Sequence, residues 1–322
     1  MARKIKVGIV GGAGYTGGEL LRILLFHPAA EIVFVHSKSN AGNGLSKVHS
    51  DLLGHTQLKF TSELSSEVDV LILCVGHGDA KKFLEENVIQ PSIKIIDLSQ
   101  DFRIASEEFV YGLPEINKER IKSAKKVANP GCFATCIQLG LLPLASAGKL
   151  NSEIHISGIT GSTGAGQSLS PTSHFSWRDS NISVYKAFNH QHLKEINQSL
   201  KQLQPSFHTA INFIPYRGNF TRGIMTTAYV KTDLSLEEAK DLYNQFYKDH
   251  PFVFVSDENI DVKQVVNTNK CVLYLEKHGD NLMVISIIDN LLKGASGHAV
   301  QNMNLMFGLE ETTGLMLKAI GF

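Results

Sequence analysis

Four cysteines in 322 residues, Cys74, Cys132, Cys136 and Cys271, form no Cys-x-x-Cys pair. A chain this long with so few thiols has no disulfide framework, and the expected compartment is a reducing cytoplasm. Net charge is missing too: 31 Lys and Arg balance 31 Asp and Glu, with no block of one sign. Neither nucleic acid nor a membrane surface is therefore an expected partner. The run Ile5-Lys6-Val7-Gly8-Ile9-Val10 is too short, and too soon broken by glycine, for a signal-peptide core, so export is not expected. The charge-free apolar stretch 127–148 holds two prolines, an Asn and a Gln, and reads as a buried helix with its lead-in loop rather than a membrane span. Internal repeats and low-complexity linkers are absent.

What is present is an ordinary globular composition, 43% apolar and 19% charged, in a chain long enough for two cores. The first half alternates β-rich runs (Lys4–Val10, Glu31–His36, Val68–Cys74, Ile93–Leu98) with helical stretches near Gly17–Phe26 and Asp79–Asn87. That alternation predicts a parallel, doubly wound α/β sheet. The second half has longer strands at Glu153–Ile159, Phe207–Ile214, Ile224–Val230, Cys271–Lys277 and Asn281–Ile288, with helices near His192–Lys201 and Leu236–Tyr247. Its partial period of two predicts an α+β domain with a mostly antiparallel sheet. The expected domains are 1–130, 131–298 and a C-terminal helical segment, 299–322, that returns to the first, with the Cys132 helix opening at the cleft between them.

The first strand leads into Gly11-Gly12-Ala13-Gly14-Tyr15-Thr16-Gly17, a Gly-x-Gly-x-x-Gly at 12, 14 and 17. Following a strand and opening a helix, it has the context of a dinucleotide cradle whose amides approach a pyrophosphate. The second strand ends in His36-Ser37-Lys38-Ser39, where an NAD site would place an acidic residue against the ribose. Two hydroxyls and a cation suit a 2′-phosphate, so NADP(H) is the expected coenzyme.

Asn129-Pro130-Gly131-Cys132-Phe133-Ala134-Thr135 carries the chemistry. With Asn129 as N-cap and Pro130 at the first helical position, Cys132 falls near the third, where unpaired amides and the helix dipole stabilise a thiolate. The same residues also read as a turn before a packed cysteine. Cys136, one helical turn on, reads as packing. His190-Gln191-His192 precedes a helix and offers a general base in either imidazole; no third ligand at metal spacing accompanies the pair, so no metal is expected. Thr160 to Gly166 is a glycine-rich loop able to pass under a flat ring. Arg103, after the fourth strand, and Arg222 are candidate ligands for a phosphate or carboxylate, although each alone also reads as a surface salt bridge. Lys293-Gly294-Ala295-Ser296-Gly297 leads into a helix with Val300, Met303 and Phe307 on one face.

Taken in order, the Gly11–Gly17 run, Asp97-Leu98-Ser99 with Asp101-Phe102-Arg103, Tyr111-Gly112-Leu113-Pro114-Glu115, residues 129–135, His190-Gln191-His192, Arg222-Gly223 and Lys293–Gly297 resemble the N-acetyl-γ-glutamyl-phosphate reductases of arginine biosynthesis. These share a fold with aspartate-semialdehyde dehydrogenases. The resemblance implies a Rossmann-type first domain and a catalytic, oligomerising second one. It makes Cys132 the nucleophile, His190 or His192 the acid/base, and Arg103 and Arg222 ligands of an acyl-phosphate substrate. Gly12, Gly14, Tyr15, Thr16, Gly17, Ser37 and Lys38 would hold NADP(H), with Gly164 and Asn290 nearer the nicotinamide. It implies inorganic phosphate as the leaving group and a homo-oligomer, dimer or tetramer. Departures from the usual pattern (His190-Gln191-His192 for His-Arg-His, Lys194 for Pro, Gly76 for Pro before His77, His298 for Gln) leave the acyl substituent open between acetyl and succinyl. A β-aspartyl-phosphate reductase and a silent NADP-binding regulator are the alternative readings.

Overall fold

The computed structural model describes residues 3–104 and 106–321; residues 1, 2, 105 and 322 of the expected domains lie outside them. The chain divides into two compact units. The first runs to Pro130 and includes Ala295–Met316; the second holds Gly131–Gly294 and the residues from Leu317 on.

The first unit is built from β1 (Ile5–Val10), α1 (Tyr15–Leu24), β2 (Ala30–His36), β3 (Phe60–Thr61), β4 (Val70–Leu73), α2 (Asp79–Glu86), β5 (Lys94–Asp97), β6 (Val110–Tyr111), α3 (Pro114–Ser123) and β7 (Lys126–Ala128). Its seven strands lie in the order β3-β2-β1-β4-β5-β7-β6, all parallel. The order reverses direction at β1, so the carboxyl end of β1 is the topological switch point where such sheets bind ligands. All four residues of β4 are buried, as a parallel strand covered on both faces must be. The short strands β3, β6 and β7 and helix α3 carry too few residues, or too weak a period, to be read from sequence.

The second unit contains α4 (Cys132–Ser146), β8 (Ile154–Thr160), α5 (Phe175–Arg178), β9 (Ser183–Val184), α6 (Leu193–Leu203), β10 (Ile211–Arg217), β11 (Ile224–Lys231), α7 (Leu236–Tyr247), β12 (Val253–Ser256), β13 (Cys271–His278) and β14 (Asn281–Ile288). The sheet order is β12-β13-β14-β11-β8-β10-β9. Four of its six neighbour pairs are antiparallel, while β8–β10 and β12–β13 are parallel. The strand expected at Phe207–Ile214 starts only at Ile211. Phe207 is buried in the connection from α6, so its apolar side chain marks core rather than strand.

Helix α4 is the core of this unit, buried at every position from Phe133 to Ala145. Pro143 interrupts its ladder by removing the N–H that would reach Leu139 O. The Tyr247 hydroxyl donates to that carbonyl instead, and Tyr243 donates to Gly140 O. Helix α7, which supplies both tyrosines, starts on a reciprocal cap: Ser235 Oγ accepts from Glu238 N (3.2 Å) and the Glu238 carboxylate from Ser235 N (2.8 Å).

The last helix, α8 (Ser296–Met306), packs on α1, α3 and β5 of the first unit. It is buried on all sides rather than along one apolar stripe, and its polar side chains are spent internally. Asn302 donates to Gly112 O (2.9 Å), and Asn304 donates to the carbonyls of Glu311 and Thr313 while its own Oδ1 meets His27 Nε2. The helix is much shorter than the segment 299–322, because Gly308 takes φ +70° while Gly308 N bonds Leu305 O and Leu309 N bonds Asn304 O. That paired cap, reinforced by Lys94 Nζ on Met306 O, closes the helix.

Candidate active site

In the first unit the glycine run turns the chain from β1 into α1. Gly11 sits at φ +76°, and the N–H groups of Gly11 and Gly12 both donate to His36 O (3.1 Å), tying the turn to the end of β2. A Cβ on Gly12 would stand 2.2 Å from Val35 Cγ1, and one on Gly17 would stand 2.5 Å from Gly12 O. At Gly14 a Cβ would meet only Gly11 O, at 3.9 Å, so that side of the turn is open. Helix α1 starts there without a side-chain cap. Open space lined by first-turn amides, Tyr15 and Thr16 among them, fits a pyrophosphate. His49 supports the cradle from its other side: Nε2 donates to Gly12 O (2.8 Å), and its ring fills the space a Gly18 side chain would need.

Beyond β2, Ser37 is buried, with its N–H on Thr61 O and its Oγ accepting from Asn40 Nδ2 (3.2 Å). Lys38 is exposed, and its charge joins burial in lowering the pKa of His36. No acidic side chain occurs from 36 to 40. Arg103 is buried, donating to Leu98 O (2.8 Å); its charge partly offsets the burial that pushes Asp97 up to about 6. Asp97 also accepts the N–H and hydroxyl of Ser99.

In the second unit Cys132 is the first residue of α4, and the N-cap is Gly131, not Asn129. The helix starts later than expected because Asn129 remains committed to the sheet. Its N–H reaches Asp97 O (2.8 Å), its side chain donates to Ala295 O (3.0 Å), and its Oδ1 accepts from Asn302. Cys132 still lies ahead of the first intrahelical bond, Thr135 N to Gly131 O, and so at the positive end of the dipole. The N–H of Gly131 is held by Glu195 Oε2 at 2.9 Å. A Cβ on Gly294 would come 2.8 Å from Cys132 Cβ, so the Lys293–Gly294 turn passes directly over the cysteine. Cys132 is partly exposed, whereas Cys136 is buried against Thr226 and Ser286 and its thiol is pushed up to about 12, as suits packing. Cys74 is pushed up to about 12 by burial as well.

His190 and His192 stand together, ring centroids 4.6 Å apart, at the start of α6. His190 is boxed by the rings of Phe133, Tyr185 and Phe213, and its Nδ1 accepts the backbone N–H of His192 at 3.3 Å. Burial first, then the charges of Lys186 and Arg217, lowers its pKa to about 4, so it is neutral at neutral pH. His192 is buried with Nε2 3.9 Å from Glu195 Oε1. Tyr185 is pushed up to about 12 by burial and by Cys132, against the pull of Arg217. Cys132, Tyr185, His190, His192 and Glu195 thus form one cluster. Three of the four non-glycine residues with positive φ among the described residues, Ser180, Lys186 and Phe188, lie in the loop around Tyr185. Such conformations cost roughly 1–3 kcal/mol each and collect at functional sites.

Arg222 and Asn290 form a second group in this unit. The Arg222 guanidinium clasps the fully buried Asp289 (Nη2 3.0 Å, Nε 3.1 Å). Asn290 accepts from Gly223 N (2.7 Å) and donates to Thr163 Oγ1 (2.9 Å), stapling the turn Ser162–Ala165 that contains Gly164. Sequence reading did not select Glu195, Tyr185, Arg217 or His49. Glu195 could have been found three residues after His192 on one helical face; the others carry no local signal. Among the described residues no cluster of metal ligands occurs, and no helix is long and apolar enough to cross a membrane.

Two family models match the chain: a semialdehyde dehydrogenase NAD binding domain over residues 6–124 and a semialdehyde dehydrogenase dimerisation domain over 132–290. The chain is 60% identical to the N-acetyl-γ-glutamyl-phosphate reductase of Parabacteroides distasonis and 61% identical to that of Bacteroides fragilis. Each alignment runs over 321 residues, 99% of this chain and 100% of the relative. In fold it is similar to the crystal structure of aspartate semialdehyde dehydrogenase II from Vibrio cholerae, with a TM-score of 0.75 at 17% identity, covering 95% of this chain and 99% of that one.

Proposed function

The chain belongs to the N-acetyl-γ-glutamyl-phosphate reductase family, and from that premise we propose that it reduces an N-acyl-γ-glutamyl phosphate to the semialdehyde and inorganic phosphate through a thioester on Cys132. The observation that carries this reading is a partly exposed cysteine at the first position of α4, with the preceding amide fixed by a buried carboxylate.

In this reading the Cys132 thiolate attacks the acyl carbon, the C–O bond to phosphate breaks, and the amides at the start of α4 hold the developing oxyanion. His192 takes the thiol proton and later supplies one to the alkoxide as the C–S bond breaks. His190 is less suited to that role, being caged, with Nδ1 engaged and its pKa near 4. Glu195 orients both partners. NADPH, when bound, supplies the hydride that reduces the thioester carbonyl. The cradle at Gly12, Gly14, Tyr15, Thr16 and Gly17 would hold its pyrophosphate, and Ser37 and Lys38, with no carboxylate beside them, favour a 2′-phosphate. Gly164, on the turn stapled by Asn290, is the segment offered to the nicotinamide. Arg103 is the proposed phosphate ligand; Arg222, being clasped to Asp289, serves the substrate less directly. We include a homo-oligomer, dimer or tetramer, in a reducing cytoplasm, which light scattering and fractionation would read.

Phosphate-dependent reduction of NADP⁺ by N-acetylglutamate 5-semialdehyde is the direct test. Activity with NADPH well above that with NADH supports the coenzyme assignment, and equal use of both contradicts it.

A further inference from the structure

Arg178 and Arg217 lie against each other with no carboxylate on either. Arg178 is buried and donates only to neutral acceptors, the carbonyls of Thr172, Asn181 and Arg217 and the Ser183 hydroxyl. Its pKa is lowered by burial and then by the charge of Arg217. Arg217 lays its guanidinium over the Tyr185 ring, Cζ 4.7 Å from the centroid, and its Nε is buried without a hydrogen-bond partner. Lys186, whose Nζ donates to Gln191 Oε1 (3.0 Å), adds a third positive charge that is felt, like that of Arg217, at His190. Among the described residues none of the three forms an ion pair with Asp or Glu.

Arg178 is buried and Arg217 half-buried, with Lys186 at the exposed edge of the group, and a cation held out of water is costly unless an anion pairs with it. This chain supplies none, and it spends left-handed backbone at Ser180, Lys186 and Phe188 to build the loop that holds Tyr185 beside them. The cluster also faces the chemistry, since the Tyr185 phenol responds to both Cys132 and Arg217. The Arg217 side chain also hydrogen-bonds Tyr185, but its Nε is unengaged, and the guanidinium edge that includes Nε is one that a carboxylate can meet bidentately. We infer that Arg217, backed by Arg178 and Lys186, is the ligand of a substrate carboxylate beside Cys132.

The inference rests on the proposed reaction for its substrate class, and two carboxylates are eligible: the glutamyl α-carboxylate, and a terminal one on a succinyl-type acyl group. The test compares Arg217→Leu and Arg217→Lys with wild type, using N-acetyl- and N-succinylglutamate 5-semialdehyde, NADP⁺ and phosphate. Loss of a charged hydrogen bond predicts a rise of roughly ten- to a hundredfold in semialdehyde KM for the Leu variant, little change in kcat, in phosphate KM or in NADP⁺ KM, and partial rescue by Lys. A rise for both substrates assigns the α-carboxylate; a rise for the succinyl compound alone assigns the acyl group. An unchanged semialdehyde KM in a folded Leu variant, or a change confined to phosphate, overturns the inference. Calorimetric binding of N-acetyl- and N-succinylglutamate to wild type and both variants reads the same site without turnover. Absent turnover with binding that depends on Arg217 would sink the reaction and keep the subsite; turnover with binding indifferent to Arg217 would do the reverse.

Discussion

Glu195 Oε2 accepts the backbone N–H of Gly131 at 2.9 Å, one residue before Cys132. A buried carboxylate on α6 thereby fixes the entry of α4, while its other oxygen lies 3.9 Å from His192. Glu195→Ala leaves that amide without its charged acceptor and frees the imidazole. We expect kcat to fall roughly ten- to a hundredfold with NADPH KM unchanged, and Glu195→Gln to retain more activity, since the amide oxygen can still accept. Equal losses in both variants would leave only a packing role.

The substitution of Tyr247 for a helix donor makes a stability prediction. Tyr247→Phe leaves Leu139 O buried and unpaired at the Pro143 break, which should cost about 1–3 kcal/mol. Urea unfolding reads it, and a change within error would show that water replaces the hydroxyl.

His190 makes the fold sensitive to acid. Its pKa is near 4 in the folded chain against 6.5 for the free side chain, so the unfolded chain binds the proton first as pH falls. This neutral histidine costs nothing above pH 6.5, and stability is lost as pH falls from 6.5 toward 4, by up to about 3 kcal/mol. In denaturant melts at pH 7 and pH 5, His190→Asn should lose less stability over the interval than wild type. Parallel losses would remove His190 as the cause.

His49 is expected to act on the coenzyme alone. His49→Ala removes the donor to Gly12 O and the ring behind Gly18, so fluorescence titration should show NADPH binding weakened about tenfold. Semialdehyde KM should not move, and His49→Gln, which can still donate, should recover part of the affinity.

The elements legible in the sequence were those with enough residues to show a period. The strand Asn281–Ile288 and the helix Leu236–Tyr247 have the expected bounds, and the glycine run announces its own turn. Strands of two or three residues such as β3 and β9 exist only through their neighbours in the sheet, so no local pattern marks them. The N-cap error at Cys132 has the same origin: Asn129 has the right chemistry for a cap, but a long-range bond to Asp97 claims its backbone. In the site, residue types with obvious reactivity were readable. Glu195 gains its meaning from a bond to Gly131 across 64 residues, Tyr185 from the charge of Cys132 felt across 53, and Arg217 from lying over the Tyr185 ring, 32 residues away.

A phosphate-free burst tests the central claim. Wild-type protein mixed with NADP⁺ and N-acetylglutamate 5-semialdehyde should release NADPH equal to the enzyme concentration and then stall as the Cys132 thioester, with phosphate restoring steady turnover. Steady turnover without phosphate, or a full burst from Cys132→Ala, would contradict it.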